Sequence, residues 1–287
     1  EIQKINNLFI KGDYENVIQK IKEILKKFPQ TVQPYNILGV TYRMQNEIGK
    51  AKKTFLNGLK INPNSYSLIT NLGSVYKYLN NFSKSEEMYL KALKLKPNYT
   101  PALENYANLK RELNEIDESI ELYEKAYEIN NNLESVLLSL SITYQMVGKF
   151  DLSKKFLKII TQKFYNNTIA DKMLSDLTDY STENDHQKKM LLKVNDKNLN
   201  DIDKIPLYFS IAKSFDDQKN YKNFFKFLQK GNNKKKRTII SSDIDNKIKY
   251  SKKIIELFDK FEFKKKKIEK SNLIFIVGLP RSGTTLL

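Results

Sequence analysis

The chain has 287 residues, 40% of them apolar, no cysteine, a single histidine and a formal net charge of +17. That composition excludes a disulfide framework, thiolate chemistry and any Cys- or His-cluster metal site, so no metal is expected. No stretch approaches the roughly 20 apolar residues of a membrane span, and with no signal peptide visible a cytoplasmic location is expected.

The charge is carried by lysine. The only arginines are Arg43, Arg111, Arg237 and Arg281. Nucleic-acid surfaces favour arginine for bidentate and stacking contacts. The charge therefore reads as the bias of a Lys-, Asn- and Ile-rich chain, and no nucleic-acid partner is expected.

From the N-terminus, the chain aligns with itself at a shift of 34 residues without gaps. Gly39, Gly73, Ala107 and Ser141 form one column, and Tyr42, Tyr76, Lys110 and Tyr144 a second. Ala51, Ser85, Ser119 and Ser153 form a third, and Phe55, Tyr89, Tyr123 and Leu157 a fourth. Pro29, Pro63 and Pro97 close successive units, with Asn131 in the next slot. Small residues let two helices approach closely, aromatics fill the space between units, and proline stops each second helix. Asn46-Glu47, Asn80-Asn81 and Asn114-Glu115 are turn signals between the helices. The first unit lacks most of its first helix, and the fifth is degenerate, with Ile160 and Tyr165 where small residues and proline belong.

These columns resemble the tetratricopeptide repeat in its proline-terminated form, over about residues 1–165. The resemblance implies an α-solenoid, because one unit cannot bury its apolar face alone. It also implies a concave groove lined by the first helix of each unit. One groove column is Arg43, Lys77 and Arg111, followed by Gln145. A basic ladder suits an acidic peptide or a carboxylate terminus; the neighbouring column, Asn36, Thr70, Glu104 and Leu138, carries no simple charge pattern.

Residues 166–270 read as degenerate helical repeats and a connecting helix. Ile169, Met173, Leu174 and Leu177 make an apolar stripe that is out of register with the repeat. His186, among polar neighbours, is expected to be a solvated residue at a helix end. Residues 195–204 read as a loop. A helix pair follows, starting at Ile205-Pro206 and ending at Gly231-Asn232-Asn233, since glycine commonly ends helices. A long amphipathic helix is expected from about Asp243 to Phe263, with Glu256, Asp259 and Glu262 on its solvated face.

Residues 271–287 carry a different pattern. Leu273 to Val277 is an apolar run that reads as a buried strand, Gly278 ends it, and Gly283-Thr284-Thr285 opens a helix. Strand, glycine-bounded loop and helix start make a phosphate cradle. Gly278-x-x-x-x-Gly283-x-Thr285 overlays the mononucleotide P-loop, except that Thr284 stands where that pattern has its lysine. The cation is instead Arg281.

The run Gly278-Leu279-Pro280-Arg281-Ser282-Gly283-Thr284-Thr285 resembles the 5′-phosphosulfate loop of sulfotransferases, including the tyrosylprotein type. With repeats upstream, the whole chain is similar in architecture to bacterial sulfotransferases that carry tetratricopeptide repeats. The resemblance implies a mainly α chain leading into the first β-loop-α element of a P-loop-like α/β domain. Its donor would be 3′-phosphoadenosine 5′-phosphosulfate (PAPS), held by Gly278, Pro280, Arg281, Ser282, Gly283, Thr284 and Thr285. Arg281 would be the catalytic cation at the leaving oxygen. The general base and the 3′-phosphate site would lie beyond Leu287, so these 287 residues alone are expected to be inactive. The solenoid would recruit the acceptor, a partner protein or a second copy of the chain. Two alternatives stay open: a non-catalytic adaptor binding peptides, and a nucleotide-dependent phosphotransferase.

Overall fold

The computed structural model describes residues 2–238 together with 249, 251–253 and 256. The chain divides into two compact units, Glu1–Lys236 and Arg237–Leu287. Among the described residues, the first carries thirteen helices and most of a fourteenth. They run as α1 (Ile2–Ile10), α2 (Tyr14–Lys27), α3 (Val32–Met44), α4 (Ile48–Ile61), α5 (Tyr66–Tyr78), α6 (Phe82–Leu95) and α7 (Thr100–Glu112). Then come α8 (Ile116–Ile129), α9 (Glu134–Met146), α10 (Phe150–Lys163), α11 (Thr168–Asp176), α12 (Asp185–Lys193), α13 (Lys204–Asp217) and α14 (Tyr221–Thr238). No strand occurs among the described residues. The strand and loop expected over 271–287 lie outside the described residues, as does most of the helix expected from Asp243 to Phe263.

The helices form antiparallel hairpins with the 34-residue period. The first helices of the hairpins start at Val32, Tyr66, Thr100, Glu134 and Thr168. The second helices start at Tyr14, Ile48, Phe82, Ile116 and Phe150. The turn between the two has one geometry. Gly12, Asn46, Asn80, Asn114 and Gly148 all take positive φ, between 56° and 75°. At each, the amide of the following residue donates to a carbonyl five residues back, as Glu47 to Tyr42 at 2.8 Å and Asn81 to Tyr76 at 2.9 Å. This is the left-handed helix stop that satisfies the last carbonyls. Glycine and asparagine hold the column because they tolerate that conformation best.

Small residues set the spacing within a hairpin. Ser85 Oγ donates to the Gly73 carbonyl at 2.9 Å, and Ser119 Oγ to the Ala107 carbonyl at 2.8 Å. Tyr89 and Tyr123 are completely buried beside these contacts. One core runs through α1 to α5 around Phe55, Leu68 and Val75, and another through α7 to α11 around Tyr123, Leu140 and Leu157.

Three sequence expectations are corrected beyond residue 165. First, α11 is not off-register: it starts at Thr168, 34 residues after α9, and then stops early at Asp176. Hairpin packing continues, with α11 directly against α13, where fully buried Ser175 donates to the Ser210 carbonyl at 3.4 Å. Second, Gly231 does not end a helix. α14 runs through it to Thr238, and Gly231 is buried against Tyr208 and Phe209, where an added Cβ would lie 3.2 and 3.1 Å from their nearest atoms. The glycine serves close helix packing here. Third, His186 is buried, with Nδ1 2.7 Å from the Tyr180 hydroxyl and Nε2 3.2 Å from Asp171 Oδ1.

Candidate functional site

The first helices α3, α5 and α7 lie side by side, and α9 is joined to α7 by a hydrogen bond. α3 touches α5 and α5 touches α7, whereas the second helices of neighbouring hairpins approach each other less closely. The first helices therefore crowd onto the inner, concave side of the stack.

A row of polar contacts crosses from one first helix to the next. Asn71 Nδ2 donates to Asn36 Oδ1 at 2.7 Å, joining α3 to α5. Lys77 Nζ donates to Glu112 Oε2 at 2.9 Å, joining α5 to α7. Arg111 Nη1 donates to Thr143 Oγ1 at 3.3 Å, joining α7 to α9. Each contact spans close to one repeat period, so each is a consequence of the 34-residue stacking.

The three cations of the groove column sit in different surroundings. Arg111 is the most constrained. Its Nη2 donates to Asn108 Oδ1 at 2.9 Å, and its guanidinium lies 5.6 Å from the centre of the Tyr123 ring. Asn108 Oδ1 also accepts from the Tyr123 hydroxyl at 2.8 Å, so a buried tyrosine anchors the amide that orients the arginine. Lys77 is engaged by Glu112. The Arg43 side chain has no hydrogen bond or ion pair among the described residues, and its charge acts on Tyr89. Burial pushes the Tyr89 phenol above its ordinary value, with Ser74, Ser85 and the Arg43 charge opposing. Tyr89 therefore stays neutral in ordinary buffers, hydrogen-bonded to Ser74 at 3.2 Å.

Charge does not single out Asn71, Ser74, Asn108 and Thr143, and Asn36 is legible only as a position of the neighbouring groove column. Their signal was available: Ser74 and Asn108 lie one helical turn before Lys77 and Arg111, a spacing that puts them on the same face.

In the column that otherwise holds tyrosine, Lys110 builds a separate cluster on the second-helix side. Its Nζ pairs with Glu86 and Glu118, each at 2.9 Å, and with Glu115. Tyr106 donates to Glu86 at 2.7 Å. Burial would lower the Lys110 value, but hydrogen bonds to Glu115, Glu118 and Glu86 outweigh it and hold the ammonium well above the ordinary lysine range. Among the described residues no group of three or more metal-ligating side chains occurs. No described helix is long and apolar enough to cross a membrane. Gly278, Pro280, Arg281, Ser282, Gly283, Thr284 and Thr285 lie outside the described residues.

Residues 66–99 and 100–133, which are α5–α6 and α7–α8 with their connecting turns, match the tetratricopeptide repeat family. No curated protein matches the chain. Among solved structures, Pseudomonas aeruginosa PilF is similar at 16% identity with a TM-score of 0.56, over 67% of this chain and 87% of that one. A thermophilic tetratricopeptide protein of Thermus thermophilus is similar at 14% identity and a TM-score of 0.56, over 61% and 95%. A tetratricopeptide repeat protein of Parabacteroides merdae covers 86% of this chain and 94% of its own length at 17% identity and a TM-score of 0.50. At such identities the likeness is one of fold. Residues 66–133 are tetratricopeptide repeats, and the described helices form a tetratricopeptide-like α-solenoid.

Proposed function

We propose that the solenoid is a protein-interaction module whose first-helix groove holds an extended peptide of acidic character. The observation that carries this is the polar row across α3, α5, α7 and α9, at one end of which the Arg43 side chain has no ion-pair or hydrogen-bond partner among the described residues. Side-chain amides and hydroxyls can pair with a peptide backbone, and a cation without a protein partner supplies charge for a carboxylate. Lys77 and Arg111 already have partners, so Arg43 is the principal charge and the other two shape the groove. The test is calorimetric titration of acidic peptides into the protein and into Arg43→Glu. At least a tenfold loss of affinity is expected. Unchanged affinity in a folded Arg43→Glu protein rejects the acidic reading.

A second reading rests on one specific observation, the Gly278–Thr285 run. By it the chain is the N-terminal part of a PAPS-dependent sulfotransferase. Backbone amides of Ser282 to Thr285 would cradle the donor phosphate at a helix N-terminus. Arg281 would neutralise the charge that grows on the leaving oxygen during in-line transfer to an acceptor hydroxyl or amine. This reading requires chain beyond Leu287 to supply the base and the 3′-phosphate site. In the protein extended past Leu287, desalted PAP is expected to raise the melting temperature. Arg281→Ala is expected to remove that gain and to cost on the order of a hundredfold in transfer rate. Stabilisation by ATP in preference to PAP would favour a phosphotransferase, and no response to either would leave the adaptor.

A further inference from the structure

A second site lies away from the groove, between α10 and α12. Asp171 on α11 is 3% exposed, and both its carboxylate oxygens are taken. His186 Nε2 holds Oδ1 at 3.2 Å, and Lys193 Nζ holds Oδ2 at 2.6 Å. The Tyr180 hydroxyl closes the far end of the chain on His186 Nδ1 at 2.7 Å. Lys193 is itself 5% exposed. Its ammonium lies 5.0 Å from the centre of the Tyr165 ring, and it makes no second hydrogen bond among the described residues.

An ammonium carries three N–H donors. Here one is used by Asp171 and the charge is partly met by the Tyr165 face, so a buried cation keeps donor capacity. Unused buried donors are costly unless something accepts from them. Beside Lys193 is a cavity of about 380 Å³, with Tyr165 and Leu192 on its wall and Lys189 at its edge. Lys189 is exposed and has no ion pair among the described residues. The volume falls in the lower part of the range for small-molecule pockets, about 300–1,000 Å³.

The wall is apolar at Leu192 and Tyr165 and cationic at Lys189 and Lys193, while the one acid present, Asp171, is already neutralised by its partners. We infer that this cavity binds a carboxylate attached to an apolar group, with Lys193 and Lys189 holding the carboxylate and Tyr165 and Leu192 facing the apolar part. A free hydrophobic carboxylic acid and the C-terminal residue of a partner protein present this same chemistry. None of the groove cations Arg43, Lys77 and Arg111 lines this cavity.

The experiment uses the chain's single histidine as its reporter. N-acetylphenylalanine and its primary amide are titrated into ¹⁵N-labelled protein while the His186 ring correlations are followed. The carboxylate is expected to shift them saturably, at millimolar concentration or below, and the amide to leave them in place. Lys189→Ala, at an exposed position where folding is not at stake, is expected to weaken binding about three- to tenfold. Lys193→Met is expected to abolish it. A pentapeptide ending in phenylalanine, compared with its amidated form, identifies the source. Binding at least tenfold tighter than the acetylated amino acid points to a partner's C-terminus, and equal or weaker binding to a free acid. No saturable shift, an equal response to the amide, or unchanged affinity in Lys189→Ala overturns the proposal.

Discussion

The ring of Phe55 fills the space that a side chain at position 39 would need: a Cβ added to Gly39 would lie 2.2 Å from Phe55 Cε1. Farther along the stack Ala107 faces Tyr123, so the contact tolerates a methyl where the hairpin is spaced for it. In α3–α4 it is spaced for hydrogen. Alanine favours helix over glycine by about 1 kcal/mol, while overpacking a tight core costs about 1–3 kcal/mol. Gly39→Ala is expected to lose about 1–2 kcal/mol in urea unfolding. Phe55→Leu in the same protein should recover part of that loss, because Ser141 already faces Leu157 in the same pair of columns. Additive losses in the double variant would reject the steric account.

Lys110 holds three carboxylates together. Lys110→Met would leave Glu86, Glu115 and Glu118 facing one another without a cation. Because these carboxylates are partly exposed, the expected loss is about 1–3 kcal/mol, below that for breaking a fully buried pair. The pH dependence gives a sharper sign. Hydrogen bonds from Lys110 and then Tyr106 hold Glu86 below its ordinary value of 4.5. Its contribution is therefore present above that value and lost as pH falls through the depressed folded value. From about pH 5 downward the wild type should lose stability more steeply than Lys110→Met. Parallel acid limbs in chemical denaturation would show that Glu86 is not coupled to Lys110.

Lys219 takes φ 57° at the stop of α13, the left-handed position held elsewhere by asparagine or glycine. Its amide donates to the Asp216 carbonyl and that of Asn220 to Phe215, each at 2.8 Å, so the turn is the same motif. Lysine there carries a steric cost of about 1–2 kcal/mol that glycine avoids, set against the greater freedom of an unfolded glycine. Lys219→Gly is expected to stabilise by about 0.5–1 kcal/mol. That corresponds to roughly 1–4 °C in Tm. A lower Tm would mean that the lysine side chain contributes more than its backbone costs.

Ser119 joins α8 to α7 through the Ala107 carbonyl and is completely buried. Ser119→Ala is expected to cost about 0.5–1.5 kcal/mol, the usual net value of one internal hydrogen bond. Ala51 occupies the equivalent place opposite Gly39, so Ala51→Ser would install the same bond in α4. Ser119→Val, with no donor and added bulk, should cost more than Ser119→Ala. No loss, or a gain, in Ser119→Ala would show that the helix propensity of alanine outweighs the bond.

The repeat was legible in the sequence because a solenoid writes each contact several times. Gly39, Gly73 and Ala107, or Asn46, Asn80 and Asn114, recur at one spacing, so packing and turn geometry show as columns. Past Asp176 the same hairpin logic continues with helices of unequal length, and the columns dissolve although the packing does not. Gly231 then looks like a helix stop when it is a close contact, because glycine serves both purposes and only the neighbouring helix tells them apart. His186 looks solvated because its sequence neighbours are polar, while the side chains that hold it come from α11 and from Tyr180 in the segment between α11 and α12.

By itself, then, the sequence determined the period, the hairpin, the turn signals between its helices and the small residues that set helix spacing, all of which depend on contacts within about one repeat. It also placed Arg43, Lys77 and Arg111 on one face. Tertiary structure alone decided that the side chains of Lys77 and Arg111 have partners while that of Arg43 has none among the described residues, because Glu112 and Thr143 sit on the next repeat's first helix and the Tyr123 ring on the second helix of the hairpin. It alone assembled Asp171, His186, Lys193 and Tyr165, which share no spacing, into a buried ionic chain beside a cavity. Burial of a charge is settled by every element that packs around it, and no local pattern of residues records that.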